Sequence, residues 1–263
     1  MNATLNVPNG ADLTQWVTRL TPGDTLSLAA GGSYTHAPGA SGFTNTPSGT
    51  SAAHITIQGN GATVNGGSVG FNFFGKSYID VNGINFRDQT ATCVQAQNSH
   101  HIEITDCTFK STANPGAFID VLKIRSSNNF WFRRCDILET LGVDTCDGYE
   151  FWDCDNSGCE DCTATGLKNG ANALDNGHGF EVYGESAAEI CTNIQFIRCH
   201  SDDCRVGFSV ENPISGAAHT ASCTDCTTGV HSQYDYFAET ATTLTITGYD
   251  GGAIGGTGTV NHD

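Results

Sequence analysis

Eight alternating segments that close on Cys or Gly recur along this chain of 263 residues: HITIQG ends at Gly59, YIDVNG at Gly83, HIEITDC at Cys107, NFWFRRC at Cys135, GCEDC at Cys162, NIQFIRC at Cys199, SCTDC at Cys226 and TLTITG at Gly248. The intervals are 24, 24, 28, 27, 37, 27 and 22 residues, roughly one solenoid coil each with one insertion. A second series interleaves with the first: GFNFFG from Gly70, TCVQAQ from Thr92, DVLKIR from Asp120, GYEFWD from Gly148, GFEVYG from Gly179, GFSVEN from Gly207 and GVHSQY from Gly229. Each coil therefore carries at least two strands. Period-2 alternation puts one face of each strand inside, and repetition at coil length stacks equivalent strands in parallel about 4.8 Å apart.

The expected fold is all-β, a right-handed parallel β-helix of about eight coils forming a single domain over 1–263. Residues 1–35 supply a short N-terminal cap helix, around Leu13 to Leu20, and a first strand. Residues 240–263, ending GYDGGAIGGTGTVNHD, make a thin final coil. Phe71, Phe73, Leu122, Ile124, Tyr149, Phe151, Phe180, Val182, Phe208 and Val210 are expected to fill one interior ladder, and Cys107, Cys135, Cys162, Cys199 and Cys226 another. CEDC at 159–162 and CTDC at 223–226 have the C-x-x-C spacing of zinc sites. Their second cysteines belong to the repeat, however, and zinc thiolates must converge on one point where a ladder stacks them.

Composition agrees with strands and turns: Gly occurs 32 times and Met once. The formal net charge is −17, with only 11 Lys and Arg together, which argues against nucleic acid and anionic membranes as partners. Twelve cysteines suggest disulfides in an oxidising compartment, or else buried thiols used as small apolar residues. No apolar run approaches the roughly eighteen residues of a membrane span, and MNATLNVPNG has neither the basic region nor the apolar core of an export signal. Secretion or cell-surface display is expected of a chain whose signal has been removed.

ADLTQWVTRLTPGDTLSLAAGGSYT at 11–35 resembles the opening cap helix and first strand of pectate-lyase-like right-handed parallel β-helices. SGTSAAHITIQGNGATVNGG at 48–67 and SYIDVNGINF at 77–86 resemble their first coils, particularly in the polysaccharide lyases that include the family 9 pectate lyases and the alginate lyase and chondroitinase B group. CDGYEFWD at 146–153 is similar to the CDG-x-E stretch of the latter group, and LKIRSS at 122–127 to its arginine-bearing strand. The resemblance implies β-elimination on an acidic, uronic-acid-containing polysaccharide, with a surface Lys or Arg as base and Ca²⁺ in support. The chain departs from it at one point. The lysine that should follow these acidic stretches is missing, since Phe151 and Trp152, and then Cys154 and Asp155, stand there.

Aligning the coils on the interior ladder places Asn72, Lys123, Glu150, Glu181 and Ser209 in one outward row, and Phe74, Arg125, Trp152, Tyr183 and Glu211 in the next. β-Elimination needs a group that neutralises the sugar carboxylate, a base for the acidified proton and an acid for the leaving oxygen. Lys123, Arg125, Glu150 and Glu181 are the catalytic candidates. Trp152, Tyr183, His178 and Glu211 are the substrate-binding candidates, and Glu150, Glu181 and Asp147 the candidate ligands of Ca²⁺. The insertions around 109–118, 163–177 and 185–192 are expected to wall a groove over this ribbon. Asp144, Asp147, Asp175, Asp202 and Asp203 have the local hydrogen-bonding roles of turn aspartates as their simplest explanation. Two other functions remain open. One is hydrolysis by Glu150 and Glu181, brought about 5 Å apart as in a retaining glycosidase. The other is a non-catalytic glycan-binding or spike module.

Overall fold

The computed structural model describes residues 2–37, 42–111, 118–138, 145–167, 177–212 and 218–263. It is a parallel β-helix of about seven turns. Eight strands stack in one sheet: Phe71–Phe74, Val94–Gln97, Phe118–Arg125, Thr145–Trp152, His178–Tyr183, Val206–Val210, Tyr234–Ala238 and Ile254–Gly256. Every pairing within it is parallel. The cap helix is short, Leu13–Val17, begun by Asp12 accepting from the Thr14 amide and anchored by buried Leu13 and Val17. No helix is long and apolar enough to cross a membrane.

The interior is built as the alternation demands. All ten residues expected in the first ladder are fully buried. Register runs Phe71, Val94, Leu122, Tyr149, Phe180, Phe208, Tyr236, Ile254 up the sheet. Its upper half is a stack of rings, with centroids 4.8 Å apart for Tyr149 with Phe180 and for Phe180 with Phe208. That spacing equals the strand separation, so parallel β-stacking itself delivers offset aromatic pairs.

The cysteines follow the same logic. Those of the expected ladder, Cys107, Cys135, Cys162, Cys199 and Cys226, are buried one coil above another, since the residues after them pair in sequence from Thr108 to Thr227. Cys159 and Cys223 belong to a second column, Ile57, Val81, Ile104, Phe132, Cys159, Phe196, Cys223, Ile246, where thiols alternate with phenyl rings. Each C-x-x-C is thus the crossing of two columns. The eleven described cysteines are buried free thiols, and none bridges another, so the disulfides suggested by the count are not formed among them.

Two expectations of register are corrected. The strand of the seventh rung is Tyr234–Ala238, whose Tyr234 pairs with Val206, and GVHSQY at 229–234 mostly precedes it. Both segments carry aromatic and apolar residues, but YDYFA places Tyr236 and Ala238 inside at period 2. The Gly-ended members of the first series are also one residue out of step with the Cys-ended ones. Gly83 and Gly248 have positive φ, as do Asp106, Arg134, Asp161, Arg198 and Asp225, the residues that immediately precede the ladder cysteines. Glycine takes that corner without steric cost, whereas the others trade strain for ion pairs such as Arg134 with Asp106 and Arg198 with Asp161, both at 2.7 Å.

Candidate functional site

The outward column forms in the expected register. Lys123 pairs with Glu150, Glu150 with Glu181 and Glu181 with Ser209; Gln95 fills the rung between Asn72 and Lys123, and Phe237 follows Ser209. The neighbouring row runs Phe74, Gln97, Arg125, Trp152 and Tyr183. Glu211 joins its upper end, its amide donating to Val182 O at 2.8 Å.

What the alternation does not convey is depth. Glu150 and Glu181 point away from the core yet are each only 4% exposed. Lys123 is the bridge between rungs. Its Nζ lies 2.6 Å from Asp120 Oδ2 and 3.3 Å from Glu150 Oε2. Burial would strip its proton, but Glu150 and Asp120 outweigh it and hold the ammonium above its usual range. Burial, reinforced by the Asp120 charge, pushes the Glu150 carboxyl well up. Glu181 is pushed up in the same way, by burial first and then by Asp147.

His178 opens its strand, 1% exposed, inside a ring of carboxylates. Its Nδ1 is 2.9 Å from Asp147 Oδ1 and 3.4 Å from Glu181 Oε1, and its Nε2 is 2.9 Å from Glu211 Oε1. Burial disfavours the charged ring, but Glu211, Glu181 and Asp147 overcome it and raise the His178 pKa well above the ordinary value. Asp147 Oδ1 also accepts from the backbone N–H groups of Gly177 at 2.8 Å and His178 at 3.0 Å. Burial would raise Asp147, yet His178 and these amides lower it. A small cleft reaches His178 and Glu211 from solvent, walled by Arg205, Val206, Gln233, Phe237 and Glu239.

In the second row, Arg125 lies over the Trp152 ring, its Cζ 3.9 Å from the centroid, and Lys123 Nζ approaches to 5.1 Å. Tyr183 meets the Trp152 ring edge-on at 5.1 Å between centroids. Trp152 is 7% exposed, so it is a floor under two cations, and the half-exposed Arg125 and Tyr183 face solvent above it. Burial raises the Tyr183 hydroxyl, with Glu185 adding to the effect.

Of the expected site residues, the structure brings Lys123, Glu150, Glu181, Asp147, His178 and Glu211 into one charged network, with Arg125, Trp152 and Tyr183 along its flank. Two members are additional. Asp120 stands in register with Asp147 and grips Lys123; Glu189 pairs with Arg125 at 3.1 Å. Glu189 lies in the 185–192 insertion, whose position beside the strand was the available signal. Among the described residues, the group able to hold a metal ion is Asp147, His178 and Glu181, each offering a ligand atom within 4.8 Å of the others. His178 thus takes the place expected for Glu150. Asp202 Oδ1 accepts from the Val230 amide at 2.9 Å, 28 residues on in the next coil, and Asp147 lies within the strand Thr145–Trp152, so neither has the local role of a turn aspartate. Asp144, Asp175 and most of the first two insertions lie outside the described residues.

Comparison with solved structures finds an alginate lyase from Paenibacillus sp. str. FPU-7, with a TM-score of 0.61 at 16% identity, covering 98% of this chain and 99% of that one. It also finds pectate lyase Pel9A, with a TM-score of 0.53 at 16% identity, covering 100% of this chain and 78% of that one. These likenesses show the fold alone, a parallel β-helix shared with both lyases. No protein-family model matches the chain. No curated protein matches it either.

Proposed function

We propose that the protein is a secreted polysaccharide lyase that cleaves an acidic, uronic-acid-containing chain by β-elimination on the ribbon from Lys123 to Glu211. The observation that carries this is the juxtaposition of Lys123, held in its charged form, and of Arg125 stacked on Trp152 with the buried carboxyls of Glu150 and Glu181. Solved structures of the same fold include an alginate lyase and a pectate lyase, which supports the reaction class.

The electrostatics distribute the roles differently from the residue types alone. Lys123, kept protonated by Asp120 and Glu150, suits neutralising the sugar carboxylate better than removing a proton. Arg125, spread on Trp152, offers the same service one row across. Glu150 is the better proton acceptor, because a carboxyl with an elevated pKa works closer to neutral pH as a base. Tyr183, kept in its hydroxyl form by burial, is the acid for the leaving oxygen. A divalent cation at Asp147, His178 and Glu181 would add positive charge for the polyanion. Asp147 and Glu181 supply oxygens of the kind Ca²⁺ takes, and His178 a nitrogen of the kind it does not.

The test is incubation with a panel of polyuronates, following the ultraviolet absorbance of the unsaturated product. Lys123→Met should abolish that absorbance while circular dichroism stays native, and Tyr183→Phe should lower kcat more than KM. Glu150 and Glu181 on adjacent rungs also admit hydrolysis, which would release reducing ends without the absorbance. Neither signal on any glycan would leave a binding module.

A further inference from the structure

We propose that Asp147, His178 and Glu181 bind one transition-metal ion of the Zn²⁺ class, through His178 Nδ1 and one oxygen of each carboxylate, with Glu211 orienting the imidazole. The proposal concerns the ion alone and stands or falls apart from the lyase reading.

Geometry comes first. Two donors each about 2.1 Å from an ion lie about 3.0 Å apart at a right angle and about 3.4 Å apart at the tetrahedral angle. His178 Nδ1 is 2.9 Å from Asp147 Oδ1 and 3.4 Å from Glu181 Oε1. Two of the three separations thus match those of one coordination sphere, and all three donor atoms lie within 4.8 Å of one another.

The supporting groups agree. A metal-bound histidine usually donates its other ring N–H to a carboxylate, which fixes the tautomer. Glu211 Oε1 stands 2.9 Å from Nε2 to receive it. Asp147 is held before any ion arrives by the amides of Gly177 and His178. The cleft past Arg205 and Glu211 gives an ion access to His178.

Charge supplies the drive. Asp120, Asp147, Glu150, Glu181 and Glu211 gather around Lys123 and His178, with Arg205 lining the cleft beside Glu211, so carboxylates outnumber cations in this largely buried network. The ion would take the Nδ1 lone pair of the neutral imidazole, with the Nε2–H left to donate to Glu211. One nitrogen and two carboxylates match the donor sets of zinc and related ions, whereas Ca²⁺ seeks six to eight oxygens.

The experiment strips purified protein with chelator, then titrates Zn²⁺, Co²⁺ and Ca²⁺ separately, counting bound metal by mass spectrometry. We expect one Zn²⁺ per chain, at least tenfold preference over Ca²⁺, and a Co²⁺ visible spectrum of nitrogen and oxygen ligation without thiolate charge-transfer bands. His178→Gln should abolish this binding. Glu211→Gln, which keeps all three ligands, should weaken it about 10- to 100-fold and serves where His178→Gln fails to fold. Absence of Zn²⁺ binding, tighter Ca²⁺ binding, thiolate bands, or affinity unchanged in a folded variant would each overturn the proposal.

Discussion

Replacing Glu181 by Gln tests whether the ribbon carries excess negative charge. Glu181 is buried, with Asp147, Glu211 and Glu150 all raising its proton affinity and His178 lowering it. Its folded pKa lies well above the unfolded value near 4.5, so the folded state binds more protons than the unfolded state. Stability from this group is therefore fully present below about pH 4.5 and is lost as pH rises through the folded pKa. Gln has the same shape and cannot ionise. At pH 8 in chelator it should be more stable than the wild type by about 1 to 3 kcal/mol, the cost of a buried charge left incompletely paired. Each kcal/mol corresponds to about 2 to 4 °C of Tm in a chain of this size. Near pH 4.5 the advantage should vanish or reverse. Denaturant melts of both proteins at the two pH values give a double difference from which titrations common to both cancel. A variant less stable than the wild type at pH 8, or one whose advantage grows toward acid, would refute the electrostatic account.

Phe180→Ala removes a ring stacked between Tyr149 and Phe208 with no solvent exposure and should cost about 3 to 5 kcal/mol in denaturant melts, more than Phe74→Ala at the half-exposed outer position. Gly158→Ala places a Cβ 1.9 Å from Gln195 O on the next rung and should cost about 1 to 3 kcal/mol by overpacking, read in the same denaturant melts.

The interior was legible in the sequence because its causes are local. Alternation assigns faces, and a coil-length repeat stacks them, so Phe71 through Val210 and the column Lys123, Glu150, Glu181 follow from counting. The counting failed where two neighbouring segments carried similar apolar content, as with GVHSQY and YDYFA, and where a left-handed corner shifted Gly83 one residue from Cys107. Only the tertiary structure decided which outward residues are buried and what meets them. Arg125 finds Glu189 across 64 residues, and His178 finds Asp147 across 31. A repeat specifies the rung on which a side chain sits. Its proton affinity and its partners depend on the side chains and water that surround it in three dimensions, and no spacing along the chain encodes those.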